Sequence, residues 1–216
     1  MEESPKNEQI SILRWFLVFL VGGVGGVIIE TIFCFLTAGI WMNRSSLLYT
    51  PISLVWGLGL LLFVMLLQKI KLKSISLIFG AGMILGGAFE YLCSLVTEWW
   101  FGVVFWDYSG MIWNLGGRIN LLYCMFWGLI AVLYIKLLQP KLQNWLSRKG
   151  GKISETVMLI IMVWLIFDIT MTAAVLIRFE ERRQCVSQQK GWLEWLDQKF
   201  DDDYVESRWP NIIRKK

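Results

Sequence analysis

The chain of 216 residues contains no histidine. That excludes an imidazole base, a histidine-ligated metal and a histidine proton relay. No G-x-x-x-x-G-K-[ST] stretch occurs, so the chain has no phosphate-binding loop of its own. The cysteines, Cys34, Cys93, Cys124 and Cys185, show no C-x-x-C spacing. Metal and redox roles are therefore not indicated, and buried free thiols are the default. No serine or cysteine nucleophile stands beside a partner base, and nothing calls for a cofactor. Charge is scarce: 18% of the residues are Asp, Glu, Lys or Arg, against about 25% in a soluble domain. The basic residues are dispersed, which gives nucleic-acid binding no support.

What is present is apolar. Hydrophobic residues make up 56% of the chain and fall in long uncharged runs. A membrane-crossing helix needs about 20 mostly apolar residues. Between Arg14 and Arg44 the only charge is Glu30, and between Arg44 and Lys69 there is none. Between Lys73 and Glu98 the only charge is Glu90, from Ile119 to Ile135 there is none, and from Thr156 to Ile177 the only one is Asp168. These runs predict an all-α integral membrane protein with five spans, at 13–37, 48–68, 75–97, 119–139 and 156–178. The bundle is expected over 1–180 and a polar, amphipathic tail over 181–216. The first run does not read as a cleaved signal peptide, because its start is acidic, its apolar stretch is too long and it contains Glu30.

Orientation follows from the Lys and Arg of the loops. The side that holds the N-terminus carries Lys6, Arg14, Lys69, Lys71, Lys73, Lys136, Lys141, Arg148, Lys149 and Lys152, whereas the loops of the other side hold only Arg44 and Arg118. This predicts a multi-pass plasma-membrane protein with a cytoplasmic N-terminus and an external C-terminus. Arg178, Arg182, Arg183 and Lys190, close behind the fifth span, pull the other way. Residues 98–118 are too short and too glycine-broken for a span, and their Trp and Tyr favour the lipid interface. They read as an interfacial or re-entrant segment. In the tail, Trp192, Trp195, Leu196 and Phe200 share one helical face. Either a helix lying on the membrane or a small cap packed on the bundle accounts for that.

Two glycine faces repeat. The first span has Gly22, Gly26 and Glu30, and the third has Gly82, Gly86 and Glu90 at the same spacing. The second span carries Trp56-Gly57 and the fourth Trp127-Gly128. Spans 1–2 and 3–4 thus read as two tandem helical hairpins with a fifth span outside them. Small residues four apart let helices approach closely in lipid, so packing alone explains the glycines. It does not explain why each face ends in a carboxylate. A charge near the bilayer centre costs about 2.5–3.5 kcal/mol on insertion scales. Glu30, Glu90 and Asp168 should therefore face the interior or water. With Arg118 as counter-ion to a glutamate, and with Asp107, Tyr108, Asn114 and Asn120, they are the candidates for one polar pocket in the half of the bundle away from the N-terminus. A purely structural Glu–Arg network is the alternative, and Asp168 can equally accompany Thr170 and Thr172 in helix packing.

The order of these landmarks resembles a bacterial family of small membrane proteins, the ABC-transporter type IV or CmpB-like permeases. The resemblance covers nearly the whole chain. It rests on Glu30, Tyr49-Thr50-Pro51, Trp56-Gly57, Glu90-Tyr91, Asn114, Trp127-Gly128 and Pro140, and most specifically on Trp106-Asp107-Tyr108-Ser109 with Gly117-Arg118-Ile119. Leu196-Asp197, Phe200, Asp202 and Trp209-Pro210-Asn211 extend it into the tail. The chain departs from the pattern at Thr50, where the family usually has glycine, and at Trp209, where it usually has tyrosine. The resemblance implies a permease partnered with a separate ATP-binding-cassette subunit. The residues themselves leave three readings open: transport of a polar or ionic ligand; a scaffold, sensor or assembly partner, alone or as a homo-oligomer; and an intramembrane enzyme on lipid or envelope precursors, with the carboxylates as acid and base.

Overall fold

The computed structural model describes residues 5–70, 74–141, 144, 155–184 and 191–215. Lys71, Lys73, Arg148, Lys149, Lys152, Cys185 and Lys190 lie outside the described residues. The chain is helical, in the order α1 (Pro5–Ala38), α2 (Leu54–Ile70), α3 (Ile75–Phe101), α4 (Leu121–Leu133), α5 (Glu155–Arg183), α6 (Trp192–Lys199) and α7 (Asp202–Arg208). Helix α4 widens into a π-helical turn over Tyr134–Leu138. Among the described residues there are also four two-residue strands, β1 (Val103–Val104), β2 (Asn114–Leu115), β3 (Ile119–Asn120) and β4 (Ile213–Arg214).

Among the described residues four helices are long and apolar enough to cross a membrane: Trp15–Ala38, Ile75–Phe101, Leu121–Lys141 and Glu155–Arg183. The second expected span is a shorter apolar helix, Leu54–Leu67. At 1.5 Å per residue α2 is about 25 Å long, short of a hydrocarbon core of about 30 Å. The run from Arg44 to Lys69 is long enough in sequence, but its first third is used otherwise. Residues 43–53 fold into a loop in which Ser46 donates its amide to the Ile52 carbonyl and its hydroxyl accepts the Leu54 amide.

The two hairpins are built alike. The closest helix packing is α1 on α2 and α3 on α4, and the pairs meet through α2 and α3. A side chain at Gly22 would meet Leu60 and the Trp56 carbonyl; one at Gly82 would meet Ala131 and the Trp127 carbonyl. One at Gly26 would strike the Trp56 ring, and one at Gly86 the Trp127 ring. In return, Gly57 lies against Phe19 and its carbonyl, and Gly128 against Phe79 and its carbonyl. The same contacts recur at the same steps of both hairpins, as the shared spacing predicts. Between the hairpins, Phe63, Val64, Leu67, Ile78, Trp127, Ala131 and Tyr134 form one buried core with Val18.

The loops over 39–53 and 102–120 and the tail over 191–215 meet at one end of the bundle. Strand β4 pairs antiparallel with β1, with Val103 opposite Arg214 and Val104 opposite Ile213. Leu196, Phe200, Val205 and Trp209 bury against Leu48, Val103, Val175, Leu176 and Phe179. Arg178 bonds Glu181 and Asp197, Arg182 bonds Asp197 and Asp202, and Arg214 bonds Asp202. Of the two readings of the tail, the packed cap is the one found. Leu196 and Phe200 turn inward as expected, while Trp192 and Trp195 remain exposed. Residues 98–118 do not re-enter as a helix of their own. α3 continues to Phe101 and stops at Gly102 in the left-handed conformation, φ 65°. Beyond β1 the chain forms a small hairpin in which Asn114 pairs with Asn120 and Leu115 with Ile119.

Candidate functional site

Each glycine face delivers its carboxylate to an indole of the neighbouring helix. Trp56 donates Nε1–H to Glu30 Oε2 at 3.0 Å, and Trp127 donates Nε1–H to Glu90 Oε2 at 2.8 Å. The close approach at Gly26 and Gly86 makes this possible, because each indole lies on the glycine one turn before the glutamate. The two indoles then meet, ring centroids 5.3 Å apart.

The remaining oxygens differ. Glu30 Oε1 accepts both Arg44 Nε, at 2.8 Å, and Arg44 Nη2. Glu90 Oε1 accepts the phenol O–H of Tyr108 at 2.8 Å. Glu30 is thus neutralised by a guanidinium, whereas the 6%-exposed Glu90 has only uncharged donors among the described residues. Burial, and after it the Glu90 carboxylate, push the Tyr108 phenol above its ordinary range, so it stays protonated and donates. Tyr108 stacks on Tyr123 with centroids 4.6 Å apart, Tyr123 meets Phe126 edge-on at 5.8 Å, and Phe126 meets Phe33 at 6.1 Å. Phe33 lies on α1 three residues from Glu30. The contacts close a ring through all four hairpin helices: Glu30, Trp56, Trp127, Glu90, Tyr108, Tyr123, Phe126 and Phe33.

Of the residues singled out in the sequence, Glu30, Glu90 and Tyr108 come together here. The others do not. Arg118 is not the counter-ion of either glutamate: it bonds Glu98, takes Ser94 Oγ at 3.0 Å, and sits at the end of α3, two turns beyond Glu90. Asp107 accepts the Ser109 hydroxyl and amide and pairs with Lys215 at 3.2 Å. The two Ser109 bonds, hydroxyl first, bring its carboxyl down to about 2. Asn114 donates to the Met111 carbonyl and accepts the Gly117 amide. Asn120 caps α4 by accepting the Leu122 amide and donates to the Ile112 carbonyl. Asp168, fully buried, accepts the amides of Tyr49 at 3.2 Å and Thr50 at 2.7 Å and the Thr172 hydroxyl at 3.5 Å. These groups brace loops because short polar side chains satisfy backbone atoms that no helix or ladder serves. At the position where the family usually has glycine, the Thr50 hydroxyl accepts Trp164 Nε1–H at 3.0 Å.

Sequence reasoning missed Arg44 as the partner of Glu30 and Glu98 as the partner of Arg118. It noticed both Trp-Gly pairs only as marks of repetition. The signal was there: an N–H donor in the partner helix at the level of each carboxylate is what a buried carboxylate needs. Among the described residues no group of three or more His, Cys, Asp or Glu is placed to hold a metal.

The family model described as "Putative ABC-transporter type IV" matches residues 17–173, which takes in α1 from Leu17 onward, α2, α3, α4 and most of α5. No curated protein and no solved structure matches the chain.

Proposed function

The chain belongs to the putative ABC-transporter type IV family, and from that premise we propose that it is the membrane-spanning permease subunit of an ABC-type transporter. Without a phosphate-binding loop of its own, it would draw ATP-driven work from a separate ATP-binding-cassette subunit. In this reading the chain crosses the plasma membrane five times, with α2 as a short fifth crossing held between α1 and α3. The N-terminus lies in the cytoplasm with the basic loops, and the capped end faces outward.

The observation that carries the reading is the doubled carboxylate–indole contact. Two charged groups sit at matching depths of two like hairpins, where a charge is costly unless used. Glu30 and Glu90 line the path of a polar or ionic ligand, and Tyr108 closes that path from the capped end. The test is substrate-independent. Small-molecule profiles of cells and medium are compared for wild type, a deletion strain and strains carrying Glu30→Gln or Glu90→Gln. The reading expects the variants to reach the membrane at wild-type level and to reproduce the deletion profile. A wild-type profile in both variants contradicts it.

A second reading has one observation in its favour. All four carboxylate oxygens of Glu30 and Glu90 are engaged within the chain. A non-transporting scaffold or assembly partner would use these contacts to lock the hairpins together. It expects Glu90→Gln to lower the amount of folded protein, with any change in the profile following that loss.

A further inference from the structure

We infer that the hairpin over 110–117 is an anchor at the membrane interface, seating Ile112, Trp113 and Leu115 between the lipid headgroups and the acyl chains. These three side chains are 81%, 77% and 62% exposed, on a loop at the end of the bundle. In water, three large apolar side chains on one short loop are unfavourable. At the interface they are the expected kind of residue.

The loop is built to hold them there. Its polar groups are spent inward. The Tyr108 amide donates to the Gly117 carbonyl at 2.8 Å, Met111 to Tyr108 at 2.8 Å, Arg118 to Leu115 at 3.2 Å and Leu121 to Trp113 at 3.1 Å. The amide nitrogens of Asn114 and Asn120 take the Met111 and Ile112 carbonyls at 2.7 and 2.6 Å. With the carbonyls of Met111, Ile112, Trp113, Leu115 and Gly117 already bonded, the loop loses less on leaving water, which is the condition for irregular backbone near lipid. Trp113 is held at φ 60°, a left-handed conformation that a non-glycine residue adopts only at a cost. Such a cost is tolerated where the surroundings fix it, here between the two asparagine side chains. The charges beside the hairpin are paired, Arg118 with Glu98 and Asp107 with Lys215. The hairpin is tied to the end of α3, where Arg118 bonds Glu98 and the next two residues, Trp99 and Trp100, are 82% and 63% exposed. The occupant is therefore lipid, and Asp107, Asn114, Arg118 and Asn120, first read with the glutamates as one pocket, are the frame of the anchor.

The test uses full-length protein in vesicles of phosphatidylcholine with a minority of phosphatidylglycerol. Ile112→Cys and Leu115→Cys, made in a background lacking the native cysteines, carry an environment-sensitive fluorophore, and Ser207→Cys on the exposed face of α7 serves as the aqueous control. Spin-labelled lipids quench the fluorophore from near the headgroup or from near the chain end. The inference expects strong quenching at 112 and 115 from the headgroup-proximal label, several-fold weaker quenching from the deep label, and little of either at 207. Quenching at 112 and 115 as weak as at 207 overturns it. Protection that disappears on dilution, with crosslinks between copies at these positions, also overturns it and assigns the surface to a second copy. Should the cysteine variants fail to fold, brominated lipids read the native side chain: Trp113→Phe must remove part of the quenchable tryptophan emission, and no change overturns the inference.

Discussion

At the residue scale the account turns on where a glycine is needed and where it is not. Gly26 and Gly86 lie against indole rings, so Gly26→Ala or Gly86→Ala must push a tryptophan off its carboxylate. Overpacking of this kind costs about 1–3 kcal/mol. Gly25 and Gly80, on the same helices, have nothing within 4 Å of an added side chain. Alanine there should leave stability unchanged or slightly raised, since glycine is the poorer helix former. Thermal unfolding of the purified variants in detergent checks both, and equal loss at all four positions would remove the packing argument. Asp107 gives a pH prediction. Its carboxyl lies at about 2, below the ordinary 3.8, because the folded loop donates to its ionised form. A group held down in this way adds stability that is fully present above about pH 4 and is lost as pH falls toward 2. Amide exchange at Ser109 should thus be faster in Asp107→Asn than in wild type at neutral pH. The difference should vanish toward pH 2; a difference independent of pH would place the protection elsewhere.

At the element scale the hairpins were legible because their signal is local and periodic. Glycines four apart name a helix face, and a carboxylate closing that face names its polar end. The contacts that fix the site were not legible, because Arg44, Trp56, Tyr108 and Trp127 reach their glutamates from other elements, 14 to 37 residues away. Nor was the short α2. Composition gave a long apolar run, but the loop over 43–53 is fixed by Asp168, which takes the amides of Tyr49 and Thr50 from across the bundle. The tail had two sequence readings because an amphipathic face fits lipid and protein equally well. Tertiary packing decided between them. Phe200, 2% exposed, is surrounded by the cap and α5. Phe200→Ala should cost about 3–5 kcal/mol. Limited proteolysis should then cut the tail far sooner while the helices stay protected. Arg178→Ala should act alike, since it leaves the Asp197 carboxylate short of a partner that is itself 4% exposed. An uncut tail in both variants would show that the cap does not depend on this packing.

At the scale of the whole molecule, the structure is two like hairpins that hold Glu30 and Glu90 against a pair of indoles, with the long helix α5 beside them and a cap that closes one end. The proposed function calls for a separate ATP-driven subunit, since the chain carries no phosphate-binding loop of its own. The most direct measurement is therefore made on the protein in its own cell: the tagged chain is extracted from the native membrane in mild detergent, and the proteins retained with it are identified and quantified. The account predicts an ATP-binding-cassette subunit in fixed stoichiometry, retained equally by Glu90→Gln. Recovery of the chain without such a subunit, alone or with envelope enzymes, would contradict the transport reading and leave the carboxylate–indole pairs as the lock of a scaffold.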